Sequence, residues 1–367
     1  MNFELEKRLA SIIVNHSLEV KENTRVLIQY QSNKCHNLVK EIVKEVIRKK
    51  GTVALDYQDQ DITEYIHNNI NDGIITDQAN KLKYNVENYD GFVRLYYNES
   101  DYYDKFMDPD KRNKLQEELK PYKEVQINER KWVLLNYPSY IDAFKAKMTP
   151  EEFYNFSMKV MTVDYDKMNK DMKILKDLMD KTKKVRIVAP NTDITFSIEG
   201  MPSIICSGEC NIPDGECYTA PVKDSINGTI TYNVESPYHG EIFKDISLTF
   251  ENGKIVKFNS SNNKLMEEIF NTDEGARYVG EFSLGLNPKI MNPMGDILFD
   301  EKIAGSLHFT PGCCYDNCPN GNKSNIHWDL VLIQREECGG GEIYFDDKLI
   351  RKDGLFVLDE LKELNYK

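Results

Sequence analysis

Apolar positions in the first half of the chain recur at two spacings. Over residues 3–20, Leu5, Leu9, Ile12 and Ile13 fall at helical intervals. Over 35–49, Leu38, Val39, Ile42, Val43, Val46 and Ile47 form one apolar face that Gly51 closes. Short runs rich in β-branched and aromatic residues lie between and after these segments: Arg25 to Tyr30, Val53 to Tyr57, a stretch near 91–97, and Trp132 to Asn136. Helical stretches near 61–70 and 76–86 continue the alternation. Strands alternating with helices predict a mostly parallel sheet with helices on both faces.

Residues 149–183 read as helix, with Lys167, Lys170 and Lys173 on a solvated face. After Lys184 short strands alternate with turns: Val185 to Val188, Ile194 to Ile198, Gly228 to Tyr232, Ile246 to Phe250. Asn252-Gly253 and Asp353-Gly354 are two-residue hairpin signals. Helices are expected near 261–271 and around 300. The pattern predicts an α/β N-terminal domain with a mostly parallel sheet over 1–184 and a mainly β (α+β) C-terminal domain over 185–367.

The 367 residues suffice for two cores, and a composition of 40% hydrophobic and 29% charged residues is ordinary for a soluble chain. A net charge of −13 argues against nucleic acid and against an anionic membrane surface as partners. The N-terminal Met1 to Lys7 is charged and amphipathic, unlike a secretory signal, and no apolar run approaches membrane-spanning length. The expected location is the cytoplasm, so the eight cysteines are expected as free thiols. Cys313-Cys314 with Cys318 lacks the paired spacing of a thiolate zinc site, and Cys35-His36 reads as a helix start. The loop after the first strand, Gln31 to Lys34, carries no phosphate-binding glycine motif, so the parallel sheet is not by default a nucleotide domain.

Two of only six histidines, His308 and His327, lie within twenty residues of each other. His327-Trp328-Asp329 precedes the apolar run Leu330 to Ile333, and alternate residues of a strand share a face, so His327 and Asp329 can reach one ion. The loop between the histidines, Pro311 to Asn322, is rich in small residues and lets two strand ends converge. Two imidazoles and a carboxylate suit zinc, cobalt or ferrous iron; the plainer alternative is a capping histidine and a surface aspartate. Glu216 and Glu281 each follow a glycine and precede an apolar residue. A carboxylate opening an apolar strand wants a cation, although for either residue alone a surface group at a strand start is the better reading. With the histidine pair they make five donors, enough for two divalent ions about 3.5–4 Å apart.

Gly215-Glu216-Cys217-Tyr218-Thr219-Ala220-Pro221 resembles the G-E-V-F-T-A-P motif of the aminopeptidase T / aminopeptidase S family of metallopeptidases. Gly280-Glu281, His308 with Tyr315 seven residues on, and Asn322-x-Ser324-x-x-His327-x-Asp329 follow that family's order through the C-terminal half. The resemblance implies Glu216, Glu281, His308, His327 and Asp329 as ligands of two divalent metal ions (zinc, cobalt or manganese). It also implies a catalytic hydroxyl on Tyr315, with Glu281 or Glu216 bridging the ions or accepting a proton. It further implies peptide substrates and a homodimer. One run departs from the family. Glu301 stands seven residues before His308, where the family has a glutamate five before, so its equivalence stays open. That longer run and the wording His327-Trp328-Asp329-Leu330 are closer to a sister branch. This branch includes leucyl-aminopeptidase-like proteins and the dihydroxypyridine ring-cleaving dioxygenases, whose single ferrous iron sits on a His, His, Asp triad. The alternative is therefore a mononuclear iron dioxygenase.

Overall fold

The computed structural model describes residues 3–99 and 109–366. It divides into two compact units, Met1–Val163 with Gly208–Pro213, and Asp164–Ser207 with Asp214–Lys367.

The first unit carries a five-stranded sheet in the order Thr52–Tyr57, Arg25–Tyr30, Gly91–Tyr96, Lys131–Asn136, Asn211–Ile212, with every neighbouring pair parallel. The short last strand comes from Gly208–Pro213, where the chain returns to this unit. The connecting helices begin at polar caps: Asp59 accepts the Ile62 N–H at 3.1 Å and Asn71 accepts the Ile74 N–H at 3.0 Å. Phe3–Ile12 continues as a π-helical turn over Ile13–Ser17. The helix Pro109–Glu129 had no visible period because its sequence is polar almost throughout; Leu115 anchors it against Ile70 and Ile75.

The segment 149–183 is two helices, Pro150–Met161 and Tyr165–Met179, parted where Asp164 caps the second through the Lys167 N–H at 2.9 Å. The units divide at this cap and not near 184. Tyr165, Met168, Met172, Leu175 and Met179 form a buried stripe, and the helix packs on strands Ile204–Cys206 and Glu216–Thr219 of the second unit. Lys167, Lys170 and Lys173 face solvent, as their charge requires.

The second unit is built on two antiparallel sheets of eight and five strands. The Asn252-Gly253 turn joins Ser247–Glu251 to Lys254–Asn259 with φ of 48° and 80°, the left-handed pair of a tight hairpin. The five-stranded sheet runs Leu330–Ile333, Ser306–Pro311, Val279–Gly285, Glu216–Thr219, Ile204–Cys206. One face of it is an aromatic core. Phe282 and Phe309 meet Phe196 of the eight-stranded sheet at ring separations of 5.0 and 4.9 Å, edge to face. All residues of Val279–Gly285 and Ser306–Pro311 are buried, so the opposite, polar face of these strands is also shut from water.

Candidate metal centre

That polar face gathers the expected residues. Ser283 pairs with His308 and Gly285 with Glu216 across the ladders, so side chains at Glu216, Glu281, Ser283, His308 and Thr310 project together. The glycines before the two glutamates have different tasks. Gly215 takes φ +136°, and Gly280 lets the Cys313 carbonyl approach so closely that a Cβ would stand 2.1 Å from its oxygen. His327 and Asp329 lie in extended chain just before the strand Leu330–Ile333, not within its ladder as the apolar run suggested. On the backbone, an isolated bridge from His327 to Gly312 and the Trp328 N–H on the Pro311 carbonyl tie this segment to the neighbouring strand. The alternation survives: Trp328 turns away, stacks on Tyr238 at 4.7 Å and donates to Ser236 Oγ at 2.8 Å.

Glu281 stands between the histidines. Its Oε1 is 3.3 Å from His308 Nε2 and its Oε2 is 3.4 Å from His327 Nε2. Glu216 Oε2 lies 3.4 Å from His308 Nε2, and Asp329 Oδ1 lies 3.4 Å from His327 Nε2. Two donor groups result, Glu216–Glu281–His308 and Glu281–His327–Asp329, each with its atoms within 4.8 Å. The two histidines fall in different groups, joined through Glu281.

The surroundings orient these atoms. His308 Nδ1 meets the Glu301 carbonyl at 3.2 Å and His327 Nδ1 meets the Cys313 carbonyl at 3.1 Å. A backbone carbonyl accepts, so each Nδ1 carries hydrogen, and each Nε2 is the ring atom turned inward and available to a metal once its proton is displaced. Ser283 Oγ donates to Glu216 Oε2 at 2.9 Å and Thr310 Oγ1 to Asp329 Oδ1 at 2.6 Å. The field is strongly negative. Burial pushes the Glu281 carboxyl up, but the two imidazoles outweigh it and hold the group at about 2. Burial lowers His308 and His327, yet the facing carboxylates outweigh it and raise both. Three carboxylates and two inward-facing imidazole nitrogens, largely buried, are a donor set for divalent cations.

Tyr315 keeps 47% of its surface exposed while its hydroxyl points inward, 3.3 Å from His327 Nε2. Burial of the hydroxyl, with Glu281 and Asp329 nearby, pushes its pKa well above normal, so it stays a neutral donor. A recess open to solvent adjoins the centre beside His327 and Asp329; Val234, Pro237 and Val331 line it with Asp300.

Glu301 does not join the donor groups: its carboxylate pairs with Lys302, and it is its carbonyl that touches His308. Cys313, Cys314 and Cys318 form no metal group among the described residues; Cys318 Sγ takes the Ala220 N–H at 3.0 Å. Asn322 is a buried brace whose amide donates to the carbonyls of Gly312 and Gly275 at 2.6 and 2.9 Å. Ser324 donates to Asp273 at 2.8 Å. Sequence reasoning missed Ser283 and Thr310, although each stands two residues from a named ligand and shares its face. It missed Lys302 too, which no spacing distinguishes.

The family model of the thermophilic metalloprotease (M29) matches residues 3–353. The chain belongs to this family. Its members are metal-dependent, so a divalent metal requirement comes with membership. Aminopeptidase AmpS of Bacillus subtilis is 31% identical over 157 residues, 39% of this chain and 38% of that one. Aminopeptidase 2 of Geobacillus stearothermophilus is 29% identical over 163 residues, 39% and 37% of the two chains. The matched stretch thus spans about two fifths of these curated relatives. Among solved structures, wild-type AmpT from Thermus thermophilus superposes with a TM-score of 0.79 at 18% identity, over 97% of this chain and 99% of that one. A 2,5-dihydroxypyridine dioxygenase from Pseudomonas putida gives 0.62 at 15% identity, over 98% and 99%. Both are likenesses of fold, and they agree with a parallel sheet in the first unit and antiparallel sheets in the second.

Proposed function

We propose that this chain is a metal-dependent aminopeptidase that removes N-terminal residues from peptides at a centre for two divalent ions, zinc, cobalt or manganese. The observation that carries the reading is Glu281, common to both donor groups, with Oε1 facing His308 and Oε2 facing His327. Glu281 would serve both positions, with Glu216 and His308 holding one ion and His327 and Asp329 the other. When bound, the ions supply Lewis acidity to a scissile carbonyl and acidify a water.

The chain's own groups do the rest. The Tyr315 hydroxyl donates to the carbonyl oxygen as negative charge develops there. Ser283 and Thr310 hold Glu216 and Asp329 in one orientation. The buried polar face of the strands Val279–Gly285 and Ser306–Pro311 keeps water from Glu281 and His308, which strengthens the interactions on that side.

The iron dioxygenase reading is less well supported. It needs His308, His327 and Asp329 around one ion, and it leaves Glu216 and Glu281 buried without a task. The same proposal places the enzyme in the cytoplasm as a homodimer. All eight cysteines are free, which suits a reducing compartment; the dimer rests on the family resemblance. The test is hydrolysis of a panel of aminoacyl-anilides by protein purified without chelator and supplied with cobalt or zinc. Amide hydrolysis that Glu281→Gln abolishes, with the fold intact, is expected. Oxygen uptake on a dihydroxypyridine with no hydrolysis would select the dioxygenase instead.

A further inference from the structure

A third set of ligand-type side chains adjoins the two that share Glu281. Cys206, Asp214 and Glu216 also bring their donor atoms within 4.8 Å of one another. Lys302 lies against this set. Its side chain is fully buried, alone among the lysines of the described residues. Its Nζ is 3.7 Å from Glu216 Oε1 and touches the Glu301 carboxylate, and the Asp214 carboxylate adds to the field that favours its charge. Burying an ammonium is costly unless acids surround it, and here they do.

Glu216 is divided by this contact. Oε1 faces Lys302, while Oε2 accepts from Ser283 and faces His308. The formal charges agree with such an arrangement. Asp214, Glu216, Glu281, Glu301 and Asp329 bring five negative charges and Lys302 one positive. The remainder is the charge of two divalent ions.

We propose that Lys302 is a positioning residue of the metal centre: its ammonium fills the third donor set, limits the centre to two metal positions, and turns Glu216 so that Oε2 serves the His308 side. This inference rests on the two-position reading above. It assigns Cys206 no metal in the native protein, because the Lys302 ammonium already supplies the positive charge beside Glu216, the carboxylate that set shares.

The test is a cobalt(II) titration of metal-free protein, followed by ion count and by near-ultraviolet absorption, where thiolate bound to cobalt gives a charge-transfer band. The wild type takes up two ions per chain and shows no such band. Lys302→Ala, which removes the ammonium and leaves room, takes up a third ion and gains a band that the added change Cys206→Ser removes. Lys302→Arg, which keeps the charge, retains the wild-type count and spectrum. A Cys206-dependent band in the wild type overturns the inference, and this reading stands even if Lys302→Ala does not fold. Two ions and no band in a folded Lys302→Ala variant overturn the inference and leave the two-position reading intact. A single ion in the wild type overturns that reading, and the role of Lys302 with it.

Discussion

Tyr315 sets its hydroxyl 3.3 Å from Nε2 of His327, the atom through which that histidine faces the donor group it shares with Glu281 and Asp329. The phenol arrives from a loop, with its ring partly in solvent and only its polar end in the centre. It is therefore placed to meet a substrate oxygen without being needed to build the fold.

Tyr315→Phe removes that donor and little else. The expected outcome is a fall in kcat of about 10²–10³-fold, the usual loss for one oxyanion donor, with metal content and melting temperature unchanged. Steady-state kinetics beside metal analysis checks it. A fall confined to KM would mean that the hydroxyl serves ground-state binding alone.

Thr310→Val keeps the shape of the strand and deletes the hydrogen bond to Asp329 Oδ1. Second partners of this kind tune metal affinity by about 10–100-fold. Weaker binding by that factor, with activity restored at saturating metal, is expected from competition against a chelator. Unchanged affinity would show that Asp329 needs no such support.

Asp300 offers a pH signature in stability. Burial pushes its carboxyl up to about 7, against the backbone N–H groups of Met294 and Gly295 that it accepts at 2.6 and 3.0 Å. The folded state keeps this proton where the unfolded chain, near its ordinary value of 3.8, has released it. The group's contribution to stability is thus complete below about pH 4 and is lost as pH rises toward 7, on the order of 4 kcal/mol in all. Asp300→Asn removes that dependence. Denaturant unfolding of metal-free wild type and variant at several pH values between 4 and 8 measures it; parallel curves would refute the assignment.

Much of this was legible in the sequence, for reasons that differ by element. The parallel sheet of the first unit announced itself because each buried strand is an apolar run and each helix has a one-sided face, as His36–Arg48 does. The helix Pro109–Glu129 stayed hidden because one buried leucine and many charges leave no period. The ligand-type residues were visible through their setting: a carboxylate after glycine at the head of an apolar strand is rare enough to notice. How they meet was not, because it depends on registers between strands far apart in the chain, such as Gly285 opposite Glu216. The alternation at His327 and Asp329 was read correctly although the element was not, since extended chain outside a ladder alternates as a strand does. Lys302 lay beyond reach for a further reason. Its burial depends on carboxylates, Glu216 and Glu301 foremost, that only the folded chain assembles around it.

The most direct test of the account is anomalous diffraction at the cobalt or zinc edge from crystals of the metal-loaded protein. The account predicts two peaks about 3.5–4 Å apart, one on each side of the Glu281 carboxylate, the first beside Glu216 and His308 and the second beside His327 and Asp329. A single peak held by His308, His327 and Asp329, with Glu281 turned away, would contradict it.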